Sequence, residues 1–419
     1  MDIPRKKTSR QKSLVAVLVV LCVILGFLAR PILSQYRLRR ARMAIQQRDF
    51  QAALDWLDAA SKASETAEIQ FWRARIYRRL NAFDRFTTHL ESAARLGFPV
   101  DRVNREQALA LAQTGRLAVN DPRVDELLAS PGDDLLEIYE AVVRGAFELF
   151  ETDLAVTLLD GWQADFPTDA QPHFLRGYYH EYEEQWQDAE VSFRRALELA
   201  ASRIDVRLGL ARALRKQNRF REALEQYRIC LTREQGPDTW FGIGECLKMQ
   251  GALEQARVAY ERGNTEDPEN YDCLLALGQF DVWAGRGKDA LPWVQRALEQ
   301  RPYEFKAHYA LANALLYSGD TERATEHFQR AVAAQQATVR VEALSRYVAD
   351  HPDDVEKRVE IGKTLLEYGQ PEVAVSWLRG VLNVDSSHQL THALLAEFYL
   401  QQGQHELAER HRKQLDKSK

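Results

Sequence analysis

Residues 237–270 read PDTWFGIGECLKMQGALEQARVAYERGNTEDPEN. Two short apolar patterns at helical spacing lie inside this stretch. Trp240, Ile243, Gly244 and Leu247 mark one face of a first helix, and Ala256, Tyr260 and Gly263 mark one face of a second. Gly251 breaks the chain between them, and Pro268 stands where a second helix has to stop, because proline has no N–H to continue the ladder. The small residues at 244 and 256 let two helices approach closely, while Trp240, Leu247 and Tyr260 fill the space around the crossing.

Working outward, the same two small positions return at a fixed period. The first recurs as Gly177, Ala211, Gly244, Gly278, Ala312, Gly362 and Ala396. Twelve positions after each stands an alanine, at 189, 223, 256, 290, 324, 374 and 408. The step is 34 residues, with one of 33 between Ala211 and Gly244, except between Ala312 and Gly362, which stand 50 apart. The surplus, ATVRVEALSRYVADHP, keeps helical apolar spacing at Val341, Leu344 and Val348, which predicts an additional or extended helix. Upstream the pattern weakens but persists, with Ala41, Phe50, Ala53, Leu57 and Ala60, then Ala74, Tyr77, Phe83, Leu90 and Ala93, where Phe86 replaces the expected alanine.

This pattern resembles the tetratricopeptide repeat, with its tryptophan, Leu-Gly, tyrosine, alanine and proline positions over a period of about 34 residues. The resemblance implies an all-α fold: a right-handed α-solenoid of about ten helical hairpins in which each unit packs on its neighbours. It divides the chain into a basic tail at 1–12, a transmembrane signal anchor at 13–33, degenerate repeats at 34–169, five regular units at 170–336, an extra helix at 337–354 and two further units at 355–419.

The anchor is read from Ser13 to Ala29, SLVAVLVVLCVILGFLA, a run without charge that makes about 25 Å of helix. Neither a signal-peptidase site nor a small residue before Cys22 accompanies it, so an uncleaved anchor is expected. Basic residues flank it on both sides. The tighter cluster from Arg5 to Lys12 favours an inside N-terminus and a solenoid on the extracytoplasmic side, as in a single-pass protein of a bacterial inner membrane.

Charge excludes other classes. Residues 1–48 hold eleven Lys and Arg against one acid, so the remaining chain carries 45 basic and 60 acidic residues, a balance of −15. An acidic body argues against nucleic acid, whose affinity comes from neutralised phosphates. Cys22, Cys230, Cys246 and Cys273 form no CxxC pair and no zinc-type cluster, and are expected to be free thiols in small core slots.

Catalytic and metal motifs fail residue by residue. His405-Glu406 opens like a zinc-protease motif, but position 409 is Glu and His411 is out of register. His388 and His392 with Glu397 lack a third placed ligand, and Gly285-Arg286-Gly287-Lys288 lacks the Ser or Thr of a phosphate loop. No enzyme activity, cofactor or metal is expected.

A surface remains. In tetratricopeptide solenoids the first helix of each unit lines a concave groove. The resemblance places Phe174, Tyr178 and Tyr182, then Arg212, Arg215 and Lys216, then Phe241, Glu245 and Lys248 there, followed by Gln279, Trp283, Tyr309, Asn313, Tyr317 and Lys363. Aromatic anchors beside charges suit a peptide or protein partner. The paired-carboxylate clamp of chaperone-binding relatives is not reproduced, since Lys306 and Asn313 lie in one unit without matching residues in its neighbours. An anchor followed by repeats is also similar to bacterial envelope-assembly scaffolds, although the four-cysteine metal domain of the lipopolysaccharide type is missing. The expected function is a membrane-anchored scaffold or adaptor. Two alternatives are a receptor for translocating or unfolded polypeptides and a regulatory subunit of a membrane-associated protease or envelope-assembly complex.

Overall fold

In the computed structural model the described residues are 32–62, 64–117, 121–233, 236–351, 353–368 and 370–416, and among them every regular element is a helix. The chain forms two compact units, 1–111 and 112–419.

The second unit is a run of antiparallel helix pairs. Leu135–Glu148 pairs with Thr152–Asp165, Gln171–Tyr182 with Trp186–Leu199, and Ile204–Lys216 with Phe220–Leu231. Pro237–Met249 follows with Leu253–Glu266, then Tyr271–Trp283 with Gly287–Gln300. All fourteen small residues of the period are buried, which makes them the crossing points of the pairs. The geometry explains why glycine serves there. A Cβ on Gly244 would lie 2.3 Å from Cε1 of Tyr260, and one on Gly177 would lie 2.7 Å from the ring of Phe193. Each large ring also meets the next pair. A Cβ on Gly209 would touch Phe193 at 2.7 Å, and one on Gly242 would touch Tyr227 at 2.2 Å. One ring thus locks two small positions on consecutive first helices, and the period follows from that wedge.

The turns repeat too. Glu184, Asn218, Gly251, Gly285 and Gly319 are left-handed, and the N–H following each reaches back five residues to a helix carbonyl, as Ala252 does to Leu247. Gly285-Arg286-Gly287-Lys288 is therefore one more of these turns, with Arg286 donating to Asp281.

The surplus residues at 337–354 do not start a new element. Residues 337–350 extend the second helix of the fifth regular pair, so that Phe305–Ser318 is followed by one helix from Thr321 to Asp350, 30 residues long. Val355–Glu367 with Pro371–Val384, and Gln389–Gln401 with His405–Asp416, complete the unit.

Within this unit, residues far apart in sequence meet. The ring of Phe150 stacks on Trp377 with centroids 4.1 Å apart, and Nη1 of Arg379 donates to the Thr114 carbonyl at 3.3 Å. Phe150 is a bulky residue at φ 58°, a conformation glycine takes at the corresponding turns of later pairs. Trp377 and the contacts around it hold it there.

The first unit is built on different chemistry. Ala67–Arg79 packs on Phe83–Arg95, and the buried carboxylate of Glu106 accepts from Arg75 at 2.7 Å and from Arg78 at 2.6 Å. Phe71 stacks on Phe98 beside this cluster.

The span expected at 13–33 lies outside the described residues, apart from Ile32 and Leu33 at the start of the helix over 32–46. Among the described residues no helix is long and apolar enough to cross a membrane.

Candidate partner-docking site

The first helices of consecutive pairs share crevices. One of about 480 Å3 is lined by Arg212, Arg215, Lys216, Phe241, Glu245 and Lys306, together with Asp238 and Asp272. A neighbouring crevice of about 280 Å3 adds Lys248, Gln279 and Arg301. Four successive first helices thus contribute to a continuous polar floor, and seven of the expected site residues, Arg212, Arg215, Lys216, Phe241, Glu245, Lys248 and Gln279, meet on it.

The charges on that floor are organised in pairs. Arg212 donates to both oxygens of Glu181, at 2.6 and 2.9 Å. Burial pulls its guanidinium down, but the hydrogen bonds and charge of Glu181 outweigh this and hold it above its ordinary value. Glu245 accepts from the Tyr260 hydroxyl at 2.7 Å and from the Lys248 ammonium. Burial, then Glu245, raises that hydroxyl well above a free phenol, so it stays a donor. Burial also pushes the Asp272 carboxyl up, against the pull of Arg301 and Lys306.

The rings divide into two sets. Phe174 and Phe241 are half-buried flanks of the core: Phe174 lies between Phe193 and Arg203, whose guanidinium sits 4.7 Å from its centroid, and Phe241 packs on Tyr260. Tyr178, Tyr182, Trp283, Tyr309 and Tyr317 stand in solvent at 56, 62, 66, 58 and 60% exposure. Lys248 lies 5.9 Å from the centroid of Trp283, and Lys216 covers Trp186 at 5.0 Å. Tyr309 leans edge-on against Phe328, while Asn313 donates its side-chain N–H to the Tyr309 carbonyl and so braces its own helix. Lys363 is exposed on the helix Val355–Glu367.

Tyr178 and Tyr182 belong to a separate cavity of about 300 Å3, walled also by Phe147, Phe150 and Tyr179, with Glu148, Glu372 and Ser376 at its edge. Sequence reasoning missed this cavity, because its walls come from segments far apart along the chain.

No group of three or more His, Cys, Asp or Glu among the described residues could hold a metal. His388 caps its helix by accepting from Thr391, and His392 pairs instead with His411, Nδ1 to Nδ1 at 2.9 Å. The same device occurs at His308 and His327, at 3.0 Å. Cys230, Cys246 and Cys273 are buried free thiols, and burial raises Cys246 to about 11 and Cys273 to about 12, far from the reactive thiolate range.

Tetratricopeptide repeat profiles match residues 208–271, 275–339 and 309–389, and a second profile of the same repeat matches 247–302. The segment 208–389 therefore carries tetratricopeptide repeats. The chain is 31% identical over 137 residues to the protein CTR9 homolog of Arabidopsis thaliana, covering 32% of this chain and 13% of that protein. It is 22% identical over 283 residues to the TPR repeat-containing protein YpiA of Bacillus subtilis (strain 168), covering 66% of this chain and 63% of that protein. It thus spans less than two thirds of either relative. The solved structure of PilW, titled a widely conserved type IV pilus biogenesis factor, is similar at 16% identity and a TM-score of 0.43 over 49% of this chain and 94% of that one.

Proposed function

We propose that the chain is a scaffold that docks protein or peptide partners along the first helices of its repeats, tethered to a membrane by the apolar segment at 13–33. The exposed row Tyr178, Tyr182, Trp283, Tyr309 and Tyr317 carries this reading, because the repeat cores are already filled by a separate, buried set. Rigid aromatic side chains that keep more than half of their surface in water are what an interface uses as anchors. The paired charges on the floor beside them would set the register of an extended or helical partner and contribute little bulk affinity.

The test is the affinity of a captured partner for variants of the full-length chain. Trp283→Ala or Tyr309→Ala should weaken binding by about 2 kcal/mol, roughly thirtyfold, with the helical content unchanged. Val332→Ser, on the exposed side of a second helix, should bind like wild type. The reverse pattern would move the docking surface to the second helices. Co-sedimentation with liposomes, lost when residues 1–33 are deleted, tests the tether, and persistent sedimentation of the truncated chain would refute it.

A further inference from the structure

Where residues 147–182 meet the helix Pro371–Val384, the molecule builds a small cavity with an unusual lining. Phe147 and Tyr179 stack with centroids 5.5 Å apart, Phe150 tilts towards Tyr182 at 6.3 Å, and Tyr178 completes the wall. Phe150 itself is pinned from behind by Trp377. At about 300 Å3 the space lies at the lower limit of ligand pockets, suited to one side chain or a compact head group rather than an extended molecule.

The electrostatics select the sign of the occupant. Aromatic faces are negative, and Glu148 and Glu372 stand at the cavity's edge. Glu183 and Asp153 add charge from outside: both act on Tyr179, and Glu183 also on Tyr182, whose phenols are raised first by burial and then by these carboxylates. The cations nearby are Arg379 and Arg144, which act on Glu148, and Arg358, which lies 5.9 Å from the centroid of Trp377 behind Phe150 and acts on Glu151. Arg379 is already committed to the Thr114 carbonyl and the Tyr399 hydroxyl. Glu148 is an exposed residue, yet desolvation is the largest influence on its carboxyl and pushes it upward, as expected of an acid leaning into an apolar crevice. Glu372 is exposed and makes no ion pair among the described residues. The cavity is thus apolar in its walls and negative at its rim.

We infer that this cavity binds a lysine or arginine side chain of a polypeptide partner, the aliphatic stem against the rings and the cationic head towards Glu372 and Glu148. The inference rests on the docking reading above and gives it a specific subsite. A cation over several ring faces, partly desolvated and close to carboxylates, gains from each of these contacts at once.

The test is titration of the full-length chain with capped pentapeptides carrying lysine, arginine or neutral norleucine between alanines, and with tetramethylammonium as the small-molecule arm. The lysine and arginine peptides should saturate, with norleucine at least fivefold weaker. Tyr182→Leu keeps the apolar volume but removes the π face, and Glu372→Gln removes a charge. Each should weaken the cationic peptides about threefold to tenfold and leave norleucine unchanged. Arg330→Gln, a remote surface change, should do nothing, and circular dichroism checks that every variant is folded. Norleucine binding as tightly as lysine would overturn the cationic assignment. Tetramethylammonium binding more tightly than any peptide would overturn the polypeptide source. If no cationic peptide saturates while Trp283→Ala still weakens a captured partner, this subsite fails and the docking reading stands. If the cationic peptides bind as expected while Trp283→Ala and Tyr309→Ala leave the partner unaffected, the cavity stands and the docking reading fails.

Discussion

The two compact units solve one packing problem with different chemistry. In 112–419, helices cross where a small residue meets a ring, as Gly244 meets Tyr260, and ion pairs such as Arg257 with Asp281 stand beside these crossings. In 1–111, Ala67–Arg79 packs through Phe71 and Ala74 on Phe86 and Leu90 and also buries the ionic cluster of Arg75, Arg78 and Glu106. A small-to-large wedge tolerates only a narrow volume but asks nothing of its neighbours' charge. A buried ionic cluster is held together by its partners, and loses far more when one of them is removed.

The largest predicted effect follows directly. Glu106→Ala leaves two buried guanidinium groups without this carboxylate and should destabilise the unit 1–111 by about 3–5 kcal/mol. Loss of slow-exchanging amides confined to that unit would show it, and unchanged protection there would mean the cluster contributes no stability. In the second unit, Ala256→Leu forces a branched side chain into a crossing with no room and should cost about 1–3 kcal/mol. Chemical denaturation with a probe in 237–266 measures this. A cost no larger than that of an ordinary surface substitution would show that the wedge is loose and would remove the contrast between the units.

A smaller effect depends on pH. His308 Nε2 faces the Pro302 carbonyl at 2.9 Å, so it donates there and its Nδ1 accepts from His327. His392 repeats the arrangement, with the Ser386 carbonyl and His411. Burial lowers His308, His327 and His411, the last to about 4. Arg330 adds to the lowering at both His308 and His327, while His392 and Arg379 add to it at His411. The unfolded chain binds protons from near pH 6.5, before the folded one does. Stability from the pairs is therefore complete above about pH 6.5 and lost as pH falls towards 4. The melting temperature of the second unit should drop between pH 7 and 5, and His327→Gln with His411→Gln should flatten that slope. An identical slope in the double variant would discard the histidine pairs as its cause.

How much of this the sequence discloses depends on the range of the contacts. The wedge is legible because its parts recur at two fixed separations, one within a hairpin and one between a hairpin and its neighbour. The first unit is faint because Phe86 fills the alanine position and because arginine and glutamate in a core carry no apolar periodicity. Exposure divides the expected groove positions into rings that face solvent and rings that flank the core, and spacing alone does not. Phe174 and Tyr178 occupy the same helix, one turn apart, yet one packs on Phe193 and the other stands in water. The histidine pairs had a usable signal, a shared separation of 19 residues, hidden because His388 and His392 suggested a different pairing. The Phe150 and Trp377 contact had none in any window, since it joins a turn and a helix brought together only by the curvature of the repeats between them.

The central claim is that partners dock on the first helices. Amide hydrogen exchange on the full-length chain, with and without a captured partner, tests it most directly. The account predicts added protection in 237–249, 271–283 and 305–318, around Trp283, Tyr309 and Tyr317, with second helices such as 253–266 and 287–300 unchanged. Protection confined to those second helices would contradict it.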